Sequence, residues 1–151
     1  MEHPLDLRRL EELGLNSSAP PGQLLYGGWL LRSLPGQAKR ARSVNALYPS
    51  SLALPDKIAY CEHLYRARGI PLIFRITPFS EPAGLDSTLE RMGFPRFDTT
   101  AVESTRIDPA RLPAASTEPL ALADWVQAAR RLYAHCGCTE RYRYWYRGHS
   151  D

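Results

Sequence analysis

Three features are scarce or absent in this sequence, and each absence excludes a class of protein. No run of apolar residues approaches the roughly 20 that a membrane-spanning helix requires. The first residues, from Met1 to Pro4, are polar and acidic, unlike the basic and apolar start of a secretory signal. We therefore expect a cytoplasmic protein with no membrane partner.

Cysteine is scarce, with three residues in a chain of 151. The count is odd and no secretory signal accompanies it, so a disulfide framework is not expected. Cys136 and Cys138 form a C-x-C pair beside His135, but a zinc site commonly takes its four ligands from two paired clusters. Elsewhere only isolated cysteine and histidine residues occur, and we predict that the protein holds no metal.

The sequence also lacks a dense block of basic residues, although its formal net charge is +3. A nucleic-acid-binding domain usually shows such a block or a recognisable motif, so nucleic acid is disfavoured as a partner. The segment from Tyr142 to Arg147 alternates aromatic and basic residues. This pattern is compatible with base stacking and with a strand that has one buried face, and we favour the strand.

The remaining pattern is that of an α/β protein with a mixed sheet. Hydrophobic periodicity and turn residues predict helices over 4–13, 55–68, 85–92 and 121–135, and strands over 26–34, 38–48, 72–77, 96–107 and 139–147. We expect the second helix to connect two parallel strands through a right-handed crossover. Arg75 and Thr77 interrupt an apolar strand, which is compatible with a site or with pairing to Glu62, Asp86 or Asp98, and we favour the pairing.

Motifs in two parts of the chain resemble those of GNAT-type N-acetyltransferases. Late in the chain, Ala129 to Cys138 is similar to the family signature A-x-x-L-Y-x-x-x-G-F. Earlier, the segments 28–32, 42–45, 57–59, 74–78 and 85–86 resemble the first half of a tandem GNAT subfamily. The resemblance covers about residues 28–102 and 128–147, and it implies a GNAT-like fold that is incomplete in its second half.

The resemblance also implies a division of the chain into three segments. Residues 1–108 would form the amino-terminal GNAT-like half, 109–119 a proline-rich linker, and 120–151 the last helix and strand of a second half. We expect the first half to expose an apolar face where the missing part would dock. Such a face favours association, so a homodimer is predicted.

The activity implied by the resemblance is transfer of an acetyl group from acetyl-CoA to an amine, either of a small molecule or of a protein. Tyr133 matches the tyrosine that can protonate the leaving thiolate in this family. The alternative for Tyr133 is an aromatic residue on an amphipathic helix, with no part in catalysis.

The loop that holds the acetyl-CoA pyrophosphate in this family is not found. The expected strand-to-helix junction, Tyr48 to Pro55, has no glycine and contains two prolines, so it offers few backbone N–H groups to a phosphate. Residues that bind the cofactor are therefore not identified. Two functions remain open, an acetyltransferase and a catalytically silent GNAT-like interaction module without acetyl-CoA.

Arg40, Ser43 and Asn45 are the candidate substrate-binding residues. They lie on the second predicted strand, where they would line a groove for the amine acceptor. The alternative is an ordinary polar sheet face, with arginine stems covering apolar surface.

Overall fold

The structure is a computed structural model that describes residues 6–106 and 121–149. The predicted linker, 109–119, lies outside these residues. The described part is α/β with a mixed sheet, as predicted, and contains four α-helices and six strands. The helices are α1 (Leu7–Asn16), α2 (Leu54–Ala67), α3 (Leu85–Arg91) and α4 (Leu122–His135), and the strands are β1 (Gln23–Tyr26), β2 (Trp29–Arg32), β3 (Val44–Ala46), β4 (Ile73–Ile76), β5 (Arg96–Ser104) and β6 (Thr139–Gly148).

The strands follow the order β1-β2-β3-β4-β6-β5 in one sheet. The first three strands form an antiparallel meander, and β3 then pairs in parallel with β4. Helix α2 makes the crossover between these two parallel strands, which is the connection that a parallel pair requires. The last strand of the chain, β6, is antiparallel to β4 and lies between β4 and β5.

The first part of the sheet differs from the sequence prediction in two places. The strand predicted over 26–34 is interrupted at Gly27 and Gly28, which form a tight turn between β1 and β2. A side chain at Gly28 would lie 2.4 Å from the carbonyl oxygen of Tyr48, so the turn needs a glycine there. The strand predicted over 38–48 consists of a short 3-10 helix, Lys39–Ala41, followed by the three residues of β3.

One face of the sheet forms the hydrophobic core. Successive residues of a strand point to opposite faces, and Trp29, Leu31, Val44 and Phe74 all point to this face. They pack against the buried residues of α2 and α3, which are Ile58, Cys61, Tyr65, Leu85 and Leu89. Helix α3 is also held by β6, because Arg147 forms an ion pair with Asp86 at 2.7 Å.

The opposite face of the sheet is polar. Asn45, Arg75 and Tyr146 stand side by side in the strand register and therefore share this face. Helix α1 packs here through Leu15 and Glu11, both of which are buried. We call the set Arg32, Ser43, Asn45, Arg75, Tyr142, Tyr144 and Tyr146 the polar face.

The chain divides into two compact units. The first extends to Thr100 and resumes at Tyr142, and the second is bounded by Ala101 and Arg141. The boundaries predicted at 108 and 120 divide the chain differently. Within the described residues, no helix has both the length and the apolar character needed to cross a membrane.

Candidate functional site

A buried ion pair lies at the centre of the polar face. Arg75 on β4 donates from Nη1 to Oε1 of Glu11 on α1, and both side chains are buried. The hydroxyl of Tyr142 donates to the other oxygen of the same carboxylate. This network fixes α1 on the sheet, although the buried Nε of Arg75 has no hydrogen-bond partner among the described residues. The expected partners of Arg75, which were Glu62, Asp86 and Asp98, were wrong.

Strand β6 places three tyrosines on the polar face because they alternate along it. The guanidinium carbon of Arg75 lies 3.7 Å from the ring centre of Tyr144, a cation–π contact. The rings of Tyr144 and Tyr146 meet edge to face at 5.7 Å. The predicted strand over 139–147, with its alternating aromatic residues, is thus confirmed as a strand with one buried tyrosine face.

The 3-10 helix carries Arg40 across the polar face. Its first residue, Lys39, forms an ion pair with Asp98 on β5 at 2.6 Å, whereas Ser43 leads directly into β3. Strands β4 and β6 lie between β3 and β5 in the sheet, so the segment between Lys39 and Ser43 must cross them. Arg40 is half-buried, and within the described residues it has no hydrogen-bond or ion-pair partner.

The arginines give this face a positive potential that acts differently on its tyrosines. Burial acts to raise the pKa of Tyr144, but Arg75, a hydrogen bond with Thr100, and Arg40 outweigh it and lower the pKa. For Tyr142 burial prevails over the same arginines, and the pKa is raised. Burial also lowers the pKa of Arg32, and the like charge of Arg40 lowers it further.

The candidate substrate-binding residues Arg40, Ser43 and Asn45 all lie at the polar face. The amide nitrogen of Asn45 donates to the carbonyl oxygens of Ser43, at 3.0 Å, and Leu30, at 3.3 Å. Ser43 is 0% exposed and Asn45 is 2% exposed, so Arg40 is the one of the three that solvent reaches. Their role in binding a substrate stays a prediction.

Sequence reasoning missed Glu11 and the tyrosines as members of this network. The alternation of tyrosines in β6 was a signal for a shared face, because side chains two residues apart point the same way. Nothing local to Glu11 indicates its partner, since Arg75 lies 64 residues away and Tyr142 lies 131 residues away.

The candidate catalytic residue, Tyr133, lies on α4 in the second unit. Helix α4 ends at His135, and Gly137 follows with a φ of +68°, which is the conformation that glycine supplies at a helix end. The amide of Cys138 donates to the carbonyl oxygen of Tyr133 at 3.0 Å. The Tyr133 side chain is exposed and belongs to an apolar stripe along one side of the helix.

We call this surface the α4 stripe. It consists of Leu122, Trp125, Val126, Ala129, Leu132 and Tyr133, which recur at the three- and four-residue spacing of one helix face. Leu122 is 77% exposed and Trp125 is 56% exposed. The helix carries its charged residues, including Asp124 and Arg131, away from the stripe.

The junction between β3 and α2 is where the resemblance places the acetyl-CoA pyrophosphate. Helix α2 begins at Leu54 without a side-chain cap, and its second residue, Pro55, has no N–H group. The amide of Leu52 is already bonded to the Ser50 hydroxyl at 3.0 Å. The carboxylate of Asp56 stands in the first turn and would repel a phosphate.

Three further contacts lie around this junction. Lys57 donates from Nζ to the carbonyl oxygen of Gly27 at 2.6 Å, and its ammonium lies 3.8 Å from the Trp29 ring centre. Beyond the paired residues of β3 and β4, the amide of Glu81 donates to the Ala46 carbonyl oxygen at 3.0 Å. These residues do not fit a pyrophosphate group.

A groove with a volume of about 570 Å³ lies between α1 and β1. Its lining is mainly leucine, including Leu15, Leu25 and Leu30, and Leu25 is 71% exposed. Across residues 6–106 and 121–149, no three His, Cys, Asp or Glu side chains are grouped as metal ligands would be.

Comparison with known proteins assigns no family to this chain. The chain matches no protein-family model, no curated protein and no solved structure. What the sites can do must therefore be derived from their own geometry and chemistry.

Proposed function

We propose that this chain is a GNAT-like module that has no acetyl-CoA site at its β3–α2 junction and that acts by binding a protein partner. The GNAT-like assignment is supported by where its motif segments lie. Residues 28–32 include β2, residues 42–45 lead into β3, and residues 74–78 include the end of β4. These strands are neighbours in the sheet, and β6, which contains the last residues of the range 128–147, is next to β4.

The observation that carries the loss of cofactor binding is the filled junction. A pyrophosphate at a helix N-terminus needs several free N–H groups that point at it. In this junction Pro55 has none and the Leu52 amide is used by Ser50. Lys57, the one cation within the first turn, is buried and directed at Gly27 instead of outward.

The α4 stripe supports the proposal that the module binds a partner. A helix face with this many exposed apolar side chains is unusual on a monomeric protein and typical of an interaction surface. This part of the proposal places Tyr133 in an interface and gives it no catalytic role.

The second candidate is an active N-acetyltransferase, with acetyl-CoA as co-substrate and an amine as acceptor. It is favoured by the position of Tyr133, four residues before Gly137 at the end of α4, as in the family signature. In this case Tyr133 would be the acid that protonates the thiolate, and Arg40 would lie at the acceptor groove.

Calorimetric titration with acetyl-CoA tests the proposal. The purified chain is first shown to be folded by circular dichroism, and plain CoA serves as the control ligand. We expect no saturable heat up to millimolar ligand. Saturable binding at micromolar ligand would contradict the proposal and favour the transferase, for which Tyr133→Phe should then lower the turnover rate without changing acetyl-CoA affinity.

A further inference from the structure

The α4 stripe is symmetric along the helix. Ala129 is at its centre, with Val126 and Leu132 three residues away on either side. Trp125 and Tyr133 follow at four residues on either side. A second α4 that runs in the opposite direction therefore presents a matching set of side chains. Trp125 would meet the partner's Tyr133, and the two small Ala129 side chains would allow the helices to approach closely.

The helix dipoles favour the same antiparallel arrangement, because the two dipoles then run in opposite directions. Asp124 and His135 lie near the two ends of α4 on the side away from the stripe, so they stay outside the contact.

The exposed area fits a weak but specific dimer. Large apolar side chains bury about 150 to 250 Å² each, so half-exposed members of the stripe would together lose roughly 500 to 600 Å² per copy. A standard stable interface buries about 800 Å² per partner, which places this contact at the lower end of specific interfaces.

We propose that two copies of this chain associate through antiparallel pairing of their α4 stripes around Ala129. The inference rests on the proposed function, because it names the partner of the interaction module. Acetyl-CoA titration tests whether the cofactor site is absent, and the measurement of molecular mass tests the α4 pairing. The two claims can fail separately, because a chain that binds acetyl-CoA can still be a dimer and a chain that does not bind it can be a monomer.

Sedimentation velocity from low to several hundred micromolar chain is the primary test. We expect the mass to rise with concentration from that of a 17.0 kDa monomer to twice that value. Trp125→Glu should remain monomeric over the whole range. The matched control is Leu25→Glu, which places the same charge on another exposed apolar residue, on β1, and should associate like the unmodified chain.

Cross-linking tests the axis of the pairing. In a chain that carries Cys136→Ser and Cys138→Ser, Ala129→Cys should form an intermolecular disulfide under mild oxidation, because the two introduced thiols meet at the symmetry axis. Ala123→Cys, on the side of α4 away from the stripe, should not cross-link.

Two results would overturn the inference. One is a monomer at every concentration in a chain that circular dichroism shows to be folded. The other is association that survives Trp125→Glu and disappears with Leu25→Glu, which would assign the contact to the β1 edge. If Trp125→Glu loses helix signal in circular dichroism, Trp125→Gln is used in its place. We expect Trp125→Gln to lose association as well.

Discussion

The two units of this chain place polar and apolar side chains in opposite ways. In the first unit the charged pair Glu11 and Arg75 is buried, and Tyr142 donates a hydrogen bond to the same carboxylate. In the second unit the large apolar residues Leu122 and Trp125 of α4 are exposed. Charges that pair with each other inside the fold offer little to a partner, whereas an exposed apolar stripe gains free energy when another surface covers it. The difference separates residues that stabilise the fold from residues that are available for binding.

Two tryptophans provide the most direct test of this comparison. Trp29 is buried in the core and donates from Nε1 to the Glu81 carbonyl oxygen at 2.8 Å, whereas Trp125 lies on the α4 stripe. We expect Trp29→Ala to lower the free energy of unfolding by about 3 to 5 kcal/mol, because it leaves a cavity and an unpaired carbonyl. Trp125→Ala should change it by less than about 0.5 kcal/mol. Urea unfolding at submicromolar chain measures both, and equal losses would contradict the comparison.

The buried ion pair gives the next largest effect. Glu11→Ala leaves Arg75 buried without its counter-ion and should cost about 3 to 5 kcal/mol of unfolding free energy. Glu12→Ala is the matched control, since Glu12 is partly exposed and its loss removes only contacts with Arg9 and Tyr48.

A double variant sharpens this prediction. Glu11→Leu combined with Arg75→Met removes both charges at once and should recover most of the stability lost in Glu11→Ala. If the double variant were as unstable as Glu11→Ala, the loss would come from packing of α1 and not from an uncompensated charge.

The ion pair between Asp86 and Arg147 is partly exposed and should contribute less. Burial acts to raise the pKa of Asp86, but hydrogen bonds from Arg147 and Trp145 outweigh it and lower the pKa. We expect Asp86→Asn to cost about 1 to 2 kcal/mol at neutral pH.

The pH dependence of this variant follows from the lowered pKa. The contribution of Asp86 is present above its ordinary pKa of 3.8 and is lost as the pH falls through the lower value of the folded state. Unfolding curves of the chain and of Asp86→Asn should therefore converge in acid.

A further prediction concerns Lys57 under the Gly27–Gly28 turn. Burial lowers the pKa of Lys57 from 10.5 to about 8. Between these values the unfolded chain binds more protons than the folded chain, so this residue makes the unfolding free energy rise with pH. The stability of the chain relative to Lys57→Met should therefore increase above a pH of about 8.

Lys39→Met is the control for this prediction, since Lys39 is half-exposed and forms an ion pair with Asp98. Guanidinium chloride unfolding at several pH values measures the differences. A constant difference between the chain and Lys57→Met would show that the pKa of Lys57 is the same in the folded and unfolded chain, which would contradict the prediction.

The regular elements were largely predictable because their signals are local. The apolar spacing in α2 and α4, and the runs that form β4 and β6, gave helices and strands within a few residues of those observed. The interruption at Gly27 and Gly28 was missed, although a Gly-Gly pair between two apolar runs is a local signal for a tight hairpin turn.

The candidate site was predictable only in part. Ser43 and Asn45 share a face because they are two residues apart, whereas Arg40 is an odd number of residues from both and reaches that face only through the 3-10 helix. The burial of Ser43 and Asn45 could not be predicted from their spacing, because it depends on how α1 and the 3-10 helix pack over the sheet.

The sequence by itself determined the α/β class, the positions of most helices and strands, and the symmetric apolar stripe of α4. Each of these depends on residues within a few positions of one another, where helix and strand periods act directly. Only the tertiary structure decided which charges pair, which polar residues are buried, and that the junction before α2 is filled. Those outcomes depend on the parallel pairing of β3 with β4 and on the insertion of β6 beside β4, which bring Tyr142 to Glu11 across 131 residues of chain.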